Sequence, residues 1–157
     1  MAKPDVRVIN PVLRSIVETL EKMAGLEAKA GQATLKTDAV GRGQVSGVMT
    51  ITGAQINGSI AISLGEETTL KLTKRVLDED HDKIDGAVID MIGEITNMVV
   101  GRAAALLNQQ GEMVKISLPT IIIGHEHLIA HKFTGPKILL PFATEIGEFH
   151  VEMVFAA

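Results

Sequence analysis

Three polar side chains are spaced so that they form a row along one face of a predicted helix. Asp90, Glu94 and Asn97 lie four and three residues apart in a stretch without proline that runs from His81 to Gln110. On a helix, this spacing places all three on a single face. Carboxylates accept hydrogen bonds and pair with cations, and a carboxamide both donates and accepts. Such a row is suited to contact another molecule's backbone or a phosphate.

The remainder of that helical face carries almost no large side chains. Its other positions are Gly86, Gly93, Gly101, Ala104 and Ala105. A face that only needs solvation usually carries Lys, Glu, Gln or Arg, and each glycine costs the helix about 1 kcal/mol relative to alanine. Close approach of a second molecule to Glu94 and Asn97 explains this cost, and packing by another part of the same chain is the alternative. We favour the second molecule, because burial within the chain would leave Asp90 and Glu94 as unpaired charges.

The opposite face of the same stretch is apolar and is expected to be buried. At about 100° per residue, one broad arc contains Ile84, Val88, Met91, Ile92, Ile95, Val99 and Leu106, with Ile89 and Leu107 on its flank. Gly111 follows where a helix would stop. The sequence therefore predicts a long helix over His81 to Gln110.

Composition is typical of a globular chain and excludes several functions. The 157 residues are 46% hydrophobic and 22% charged, which suits a single domain over residues 1–157. The net charge is -4 and the basic residues are scattered, so nucleic-acid binding is disfavoured. The absence of cysteine excludes disulfides and thiolate metal sites. With neither a signal-peptide core nor an apolar run of about 18 residues, we expect a cytoplasmic protein with no membrane segment.

Periodicity predicts helices and strands on either side of the long helix. A first helix is expected to begin at Asn10-Pro11 and to end at Gly25. The later predictions are a hairpin over Gly47 to Leu64 turning at Asn57-Gly58, a helix over Glu66 to Asp78, strands Met113 to Leu118 and Thr120 to Ile123 split by Pro119, and a hairpin over Lys137 to Phe155 turning at Gly147.

The two halves of the chain repeat one another weakly, each offering a helix and later a long hairpin. The predicted fold is α+β: two pseudo-repeated halves that form a mainly antiparallel sheet, with long helices packed on one face. The repeat also gives an internal comparison. On the first helix, Arg14, Glu18 and Glu21 occupy the positions of the polar row, so the carboxylate is kept and the amide is lost. We therefore expect one site, on the second-half helix.

The pattern Asp90-xxx-Glu94-xx-Asn97, with Pro119 further along, resembles the signature of the CheC/CheX/FliY family of chemotaxis phosphatases. In that family an acidic or seryl residue precedes ExxN on a helix and a proline follows. The resemblance extends over nearly the whole chain. A single intact motif, on the second helix of the repeat, is most similar to the CheX branch, and Arg14, Glu18 and Glu21 depart from the two-site pattern.

This resemblance implies a protein phosphatase that hydrolyses the aspartyl phosphate of a CheY-type response regulator. It implies that Asn97 orients the attacking water and that Glu94 docks the regulator, with Asp90 at the periphery of the contact. Gly93 and Gly101 then give clearance to the partner. No cofactor is expected on this chain, since a lone Glu and Asn cannot enclose Mg²⁺, and the metal belongs to the regulator. A homodimer is also implied.

Three alternatives remain open at this point. The helix could bind a response regulator or a flagellar switch component without catalysis, as an adapter, because fold does not determine activity. His125, His127 and His131 could hold a metal, although their spacing fits no zinc signature and solvated histidines are the simpler interpretation. The run Ile121 to Ile123 fits an exposed edge strand and a covered central strand equally well.

Overall fold

The computed structural model describes residues 6–156, which form three helices and an eight-stranded sheet in which every strand pair is antiparallel. The α+β prediction is confirmed. None of the helices in this part of the chain is long and apolar enough to span a membrane. The elements are α1 (Val6–Ala24), β1 (Lys29–Ala30), β2 (Thr34–Leu35), β3 (Val45–Gly53), β4 (Asn57–Leu64), α2 (Glu66–Leu77), α3 (Gly86–Gln109), β5 (Val114–Ile116), β6 (Thr120–Ile123), β7 (Lys137–Thr144) and β8 (Gly147–Phe155).

The two halves interlock within the sheet. The strand order is β1-β7-β8-β4-β3-β5, with β2 also on β7 and β6 also on β3. Each half therefore contributes a helix, a pair of short strands and a hairpin. The short strands do not pair with their own hairpin: β1 and β2 pair with β7 of the second half, and β5 and β6 pair with β3 of the first. The hairpins meet where β4 pairs with β8.

The long helix α3 begins five residues later than the sequence predicted. Asp85 has an extended backbone, and its side chain caps the helix by accepting a hydrogen bond from the backbone N–H of Val88. His81 Nδ1 lies 2.6 Å from Asp85 Oδ2. This contact and the hydrogen bond from the Val88 N–H together hold the pKa of the Asp85 carboxyl below its usual range. The stretch from His81 to Asp85 is therefore the cap and its support rather than helix.

The start of α1 was also predicted wrongly. The helix already includes Val6, so Asn10 is not its cap and Pro11 lies inside it. Proline has no N–H to donate within the helix, but its carbonyl accepts a bond from the Ser15 hydroxyl at 2.6 Å. The predicted end is correct: Gly25 adopts φ 63°, a left-handed conformation that glycine reaches without strain.

Both predicted hairpins are present, but the first turns earlier than expected. β3 and β4 are joined by residues 54–56, and Asn57-Gly58 already belongs to β4, where Gly58 is opposite Phe155. A Cβ atom on Gly58 would overlap the Phe155 ring. This glycine is therefore needed for close packing between strands rather than for a turn. The second hairpin turns immediately before Gly147, as predicted.

The sheet is buried on both faces, which the alternating pattern did not predict. One face packs against the helices through an apolar core that includes Ile16, Leu20, Ile60, Ile62, Ile92, Val99, Val151 and Met153. The side chains on the other face are also buried, among them Ala61, Ser63, Glu152 and Val154. Their face is covered by two chain segments, residues 36–44 and 124–131, which contribute the buried side chains Lys36, His127 and Ile129.

A buried ion pair fixes the first of these segments to the sheet. Lys36 Nζ donates to Glu152 Oε1 at 2.6 Å, and His131 Nε2 lies 2.7 Å from Glu152 Oε2. His131 Nδ1 in turn bonds to the hydroxyl of Ser59 on β4. Glu152 is 1% exposed, so both of its oxygens rely on these partners. The carboxylate therefore links β8 to both covering segments.

His127 anchors the second covering segment in a similar way. Its Nε2 lies 2.6 Å from Ser46 Oγ, which also bonds Ser63 Oγ at 2.6 Å, and its Nδ1 lies 2.8 Å from the carbonyl of Gly124. The interpretation of His127 and His131 as solvated side chains was wrong. Both rings are hydrogen-bonded at each nitrogen, and only His125 of the three is exposed.

We predict that Glu152→Gln lowers the free energy of unfolding at pH 7 by about 3 kcal/mol, because the buried Lys36 loses its close counterion and keeps only Asp38 Oδ1 at 3.9 Å. Burial alone would raise the pKa of the Glu152 carboxyl, but the bonds from His131 and Lys36 outweigh it and the pKa is lowered from 4.5. A carboxyl with a lowered pKa stabilises the fold above 4.5 and loses this contribution as the pH falls through its folded value.

Urea unfolding at pH 7 and at pH values below 4.5 measures both effects. The difference between the wild type and Glu152→Gln should narrow at the acidic values. Glu148→Gln, an exposed carboxylate on the same strand, is the matched control and should change little. Equal unfolding midpoints for wild type and Glu152→Gln at pH 7 would show that the pair does not stabilise the fold.

Candidate functional site

The predicted row lies on the exposed face of α3. Asp90, Glu94 and Asn97 are all exposed. Within residues 6–156 none of the three side chains makes a hydrogen bond or an ion pair. A row of polar groups that no other described residue engages, held on a rigid helix, is available to a second molecule.

The opposite face of α3 forms the centre of the apolar core, as predicted. Val88, Met91, Ile92, Ile95, Val99, Leu106 and Leu107 are buried, and Ile84 and Ile89 are half-buried. One expectation for the outer face was wrong: Ala104 is buried, so the surface of small residues is narrower than the sequence suggested. This packing fixes the direction in which the polar row points.

Gly93 and Gly101 lie beside the segment that connects β5 to β6. An ideal Cβ on Gly93 would be 3.9 Å from Pro119 Cγ and 3.9 Å from Ile121 Cδ1, and one on Gly101 would be 3.9 Å from Ile116 Cδ1. Residues 93, 97 and 101 form one line along the helix, so residues 116–119 run alongside Asn97. These are ordinary contact distances. The chain's own packing therefore does not require glycine at either position.

The corresponding face of α1 is differently occupied. Glu18, the counterpart of Glu94, accepts hydrogen bonds from Arg14 at 2.8 Å and from Arg102 of α3 at 3.0 Å. The guanidinium groups of Arg14 and Arg102 lower the pKa of the Glu18 carboxyl. Val17 stands where α3 has Gly93. The carboxylate of the first helix thus ties the two helices together.

No metal centre forms around the histidines or the row in residues 6–156. This part of the chain has no group of three or more His, Asp or Glu side chains arranged to hold a metal ion. The ring nitrogens of His127 and His131 are already occupied by partners within the fold. These histidines serve the packing of the covering segments.

The run Ile121 to Ile123 is an edge strand, which settles the alternative that the sequence left open. As β6 it pairs with β3 and, in the described part of the chain, with no other strand. Ile123 is 45% exposed. This edge of the sheet adjoins the side of α3 that carries Gly93.

The fold and the row together define a class of protein with an antiparallel sheet, helices on one face and an exposed carboxylate and carboxamide on one of those helices. Residues 45–143 match the family described as chemotaxis phosphatase CheX. This match covers more than half of the chain, and the chain belongs to that family.

Individual relatives agree with this assignment. The chain is 29% identical to the "CheY-P phosphatase CheX" of Thermotoga maritima, over 95% of this chain and 97% of the relative. It is similar to the crystal structure of a CheC-like superfamily protein from Shewanella sp. PV-4, with 38% identity, a TM-score of 0.90 and 98% and 100% of the two chains covered. It shares its fold with the CheX of a CheX-CheY-BeF3-Mg²⁺ complex from Borrelia burgdorferi, at 24% identity and a TM-score of 0.82, with 98% and 100% covered.

We predict that Gly93→Ala raises the free energy of unfolding by up to about 1 kcal/mol, because alanine is the better helix former and its Cβ meets only ordinary contacts. Chemical denaturation measures the change, with Gly86→Ala at the exposed first residue of α3 for comparison. A marked loss of stability would mean that Pro119 and Ile121 need the glycine, and the alternative of close packing within the chain would then be correct.

Proposed function

We propose that this chain, acting as one domain over residues 1–157 in the cytoplasm, hydrolyses the aspartyl phosphate of a CheY-type response regulator. The observation that carries the proposal is the pair Glu94 and Asn97, exposed and without partners among residues 6–156, in a chain that belongs to a family of phosphatases. The Thermotoga relative is named for this substrate, and it aligns with nearly the whole chain.

Asn97 is proposed to orient the attacking water. Hydrolysis of an aspartyl phosphate needs a water in line with the bond between phosphorus and the aspartyl oxygen, and that bond breaks to give the free carboxylate and inorganic phosphate. A carboxamide can accept a hydrogen bond from this water and donate one to a phosphoryl oxygen. Asn97 is free for both bonds because no group of residues 6–156 occupies its side chain.

Glu94 is proposed to dock the regulator. It lies one helical turn from Asn97, so a cation held by Glu94 fixes the distance between the partner and the amide. A lysine beside the regulator's phosphoryl aspartate is the suitable cation. This role needs a free carboxylate, and the contrast with Glu18, which is held by Arg14 and Arg102, supports the assignment to α3.

The remaining site residues are proposed to shape the contact. Asp90, one turn before Glu94, lies at its periphery. Gly93 and Gly101 flank Asn97 and leave the helix backbone open to a loop of the partner. Gly93→Ala should accordingly slow turnover while it stabilises the fold.

Magnesium is proposed to belong to the regulator, and no cofactor is proposed on this chain. Glu94 and Asn97 supply too few oxygens for a Mg²⁺ site of their own. The Borrelia complex includes Mg²⁺ together with CheY, which fits this division. On the regulator, the ion neutralises charge on the phosphoryl oxygens, and this chain supplies the positioning of water.

A homodimer is proposed as the working form. The exposed edge at β6 offers unpaired backbone groups to a second copy, and closed symmetric pairs are the commonest assemblies.

We predict that Asn97→Ala abolishes accelerated decay of a phosphorylated CheY-type receiver domain while complex formation stays largely intact. Loss of one positioning amide is expected to lower turnover by a factor on the order of 100 to 1,000. Phosphate release with substoichiometric protein measures turnover, and titration of a beryllofluoride-loaded receiver measures binding. Gln109→Ala, an exposed amide at the end of the same helix, is the matched control.

Full activity of Asn97→Ala would remove this residue from the mechanism. Binding by the wild type without faster decay would place the chain in the alternative class, an adapter for the regulator or for a flagellar switch component.

We predict that Glu94→Ala weakens both binding and turnover, because its carboxylate fixes the register of the complex. Higher salt should reduce the difference between wild type and variant, since the lost contact is an exposed ion pair. Glu21→Ala, on the equivalent face of α1, should leave both quantities unchanged. An unaltered dissociation constant for Glu94→Ala would contradict the docking role.

A further inference from the structure

The edge beside the site contains a β-bulge. Ile116 pairs with Ile51 and Thr120 pairs with Val48, so residues 117–119 lie opposite only two residues of β3. Ser117 keeps the contact with β3: its N–H donates to the carbonyl of Thr50 at 3.0 Å, and its hydroxyl accepts from the Thr50 N–H at 2.9 Å. The extra residue is accommodated after Ser117, where the strand leaves the sheet.

Leu118 projects from this bulge into solvent. It is 87% exposed, the largest value among the exposed large hydrophobic side chains of residues 6–156. Pro119 lies against Gly93 and Ile116 against Gly101, so Leu118 stands between them, beside the middle of the line that contains Asn97. A single exposed leucine is ordinary on a protein surface, so its place on the bulge beside Asn97 is what makes it a candidate contact.

The other half of the repeat has the same bulge without the leucine. Ala30 pairs with Phe142 and Thr34 with Leu139, again three residues against two, and the Gly31 N–H donates to the carbonyl of Pro141 at 2.7 Å. Gln32 is the counterpart of Leu118. The bulge of the first half therefore carries a polar residue, and the bulge beside Asn97 carries an apolar one. The fold does not require leucine at this position.

We propose that Leu118 is an apolar anchor for the receiver domain of the phosphorylated response regulator. This inference rests on the proposed function and adds an apolar contact to the polar contacts of Glu94 and Asn97. Glu94 and Asn97 contact the charged groups around the phosphoryl aspartate, and Leu118 packs against an apolar patch on the same face of the receiver. Burial of the leucine raises the affinity of the complex.

A receiver fits Leu118 better than a second copy of the chain does. A second copy paired on β6 uses the regular backbone groups of Thr120–Ile123, and the bulge interrupts that row at Ser117, so Leu118 lies outside such a pairing. Its chain neighbours Ile116 and Pro119 lie against Gly101 and Gly93, so the backbone at Leu118 runs beside the helix that carries Asn97.

The test compares Leu118→Gln, which copies the residue of the other half, with Leu118→Met, which stays apolar. Titration with a beryllofluoride-loaded receiver gives the dissociation constant, and phosphate release at increasing phosphorylated receiver gives KM and kcat. We expect Leu118→Gln to raise the dissociation constant and KM about tenfold with kcat nearly unchanged, and Leu118→Met to behave as the wild type. Leu128→Gln is the control and should have no effect. Leu128 is an exposed leucine in the covering segment 124–131, on the face of the sheet away from the helices.

The outcomes separate this inference from the proposed function. If the wild type binds the receiver without hydrolysis, the catalytic proposal fails, and a weaker Leu118→Gln complex still supports the anchor. If the wild type hydrolyses the phosphate and Leu118→Gln keeps its dissociation constant and KM, the anchor is overturned and the phosphatase stands. A change in molar mass by light scattering for Leu118→Gln, with unchanged receiver binding, would assign the leucine to contact between copies and also overturn the inference. No binding by the wild type would overturn both.

Discussion

The pairing of β4 with β8 is the contact on which the structure depends. It joins the hairpins of the two halves along most of their length, from Gly58 opposite Phe155 to Leu64 opposite Phe149. The short strands then exchange between the halves, so the sheet is complete only when both are present. The helices lie on the single apolar surface that this sheet provides, and α3 presents the polar row because its other face is buried there. The direction in which Glu94 and Asn97 point is thus set by the packing of the opposite face of α3 against the sheet.

Local patterns predicted most of the elements and missed the features that depend on distant contacts. The apolar arc of α3 and the two hairpins follow from periodicities of 3.6 and 2, and these were correct. Asn57-Gly58 was misread as a turn because the sequence cannot show that Phe155 covers Gly58. The burial of Ser63 and Glu152 was missed for the same reason: the segments that cover them lie elsewhere in the chain. Lys36 and His131 have no local signal for their pairing with Glu152.

The row of the site was visible in the sequence because helical spacing alone aligns its members. The sequence also shows that Glu18 is the counterpart of Glu94. It does not show that Glu18 is engaged by an arginine of α3, since Arg102 reaches Glu18 from another helix. The neighbourhood of Asn97 needed the fold. In the sequence, Pro119 matches a family pattern, but its location relative to the helix is not visible. Only the strand register shows the bulge that brings Pro119 to Gly93. Leu118, the exposed residue next to Pro119, has no sequence feature that distinguishes it from the other leucines of the chain.

The exchange of short strands between the halves has a consequence for folding. Lys29 near the start of the chain pairs with Ala143 near its end, and such distant contacts must form against a large loop-closure entropy. Contacts of such high sequence separation are expected to form late in folding. Neither half can open by itself without breaking the strands that it shares with the other. Local opening of the helix that carries Glu94 and Asn97 consequently requires disruption of the sheet on which it packs. Its opening free energy is therefore high, and the geometry of the row is preserved.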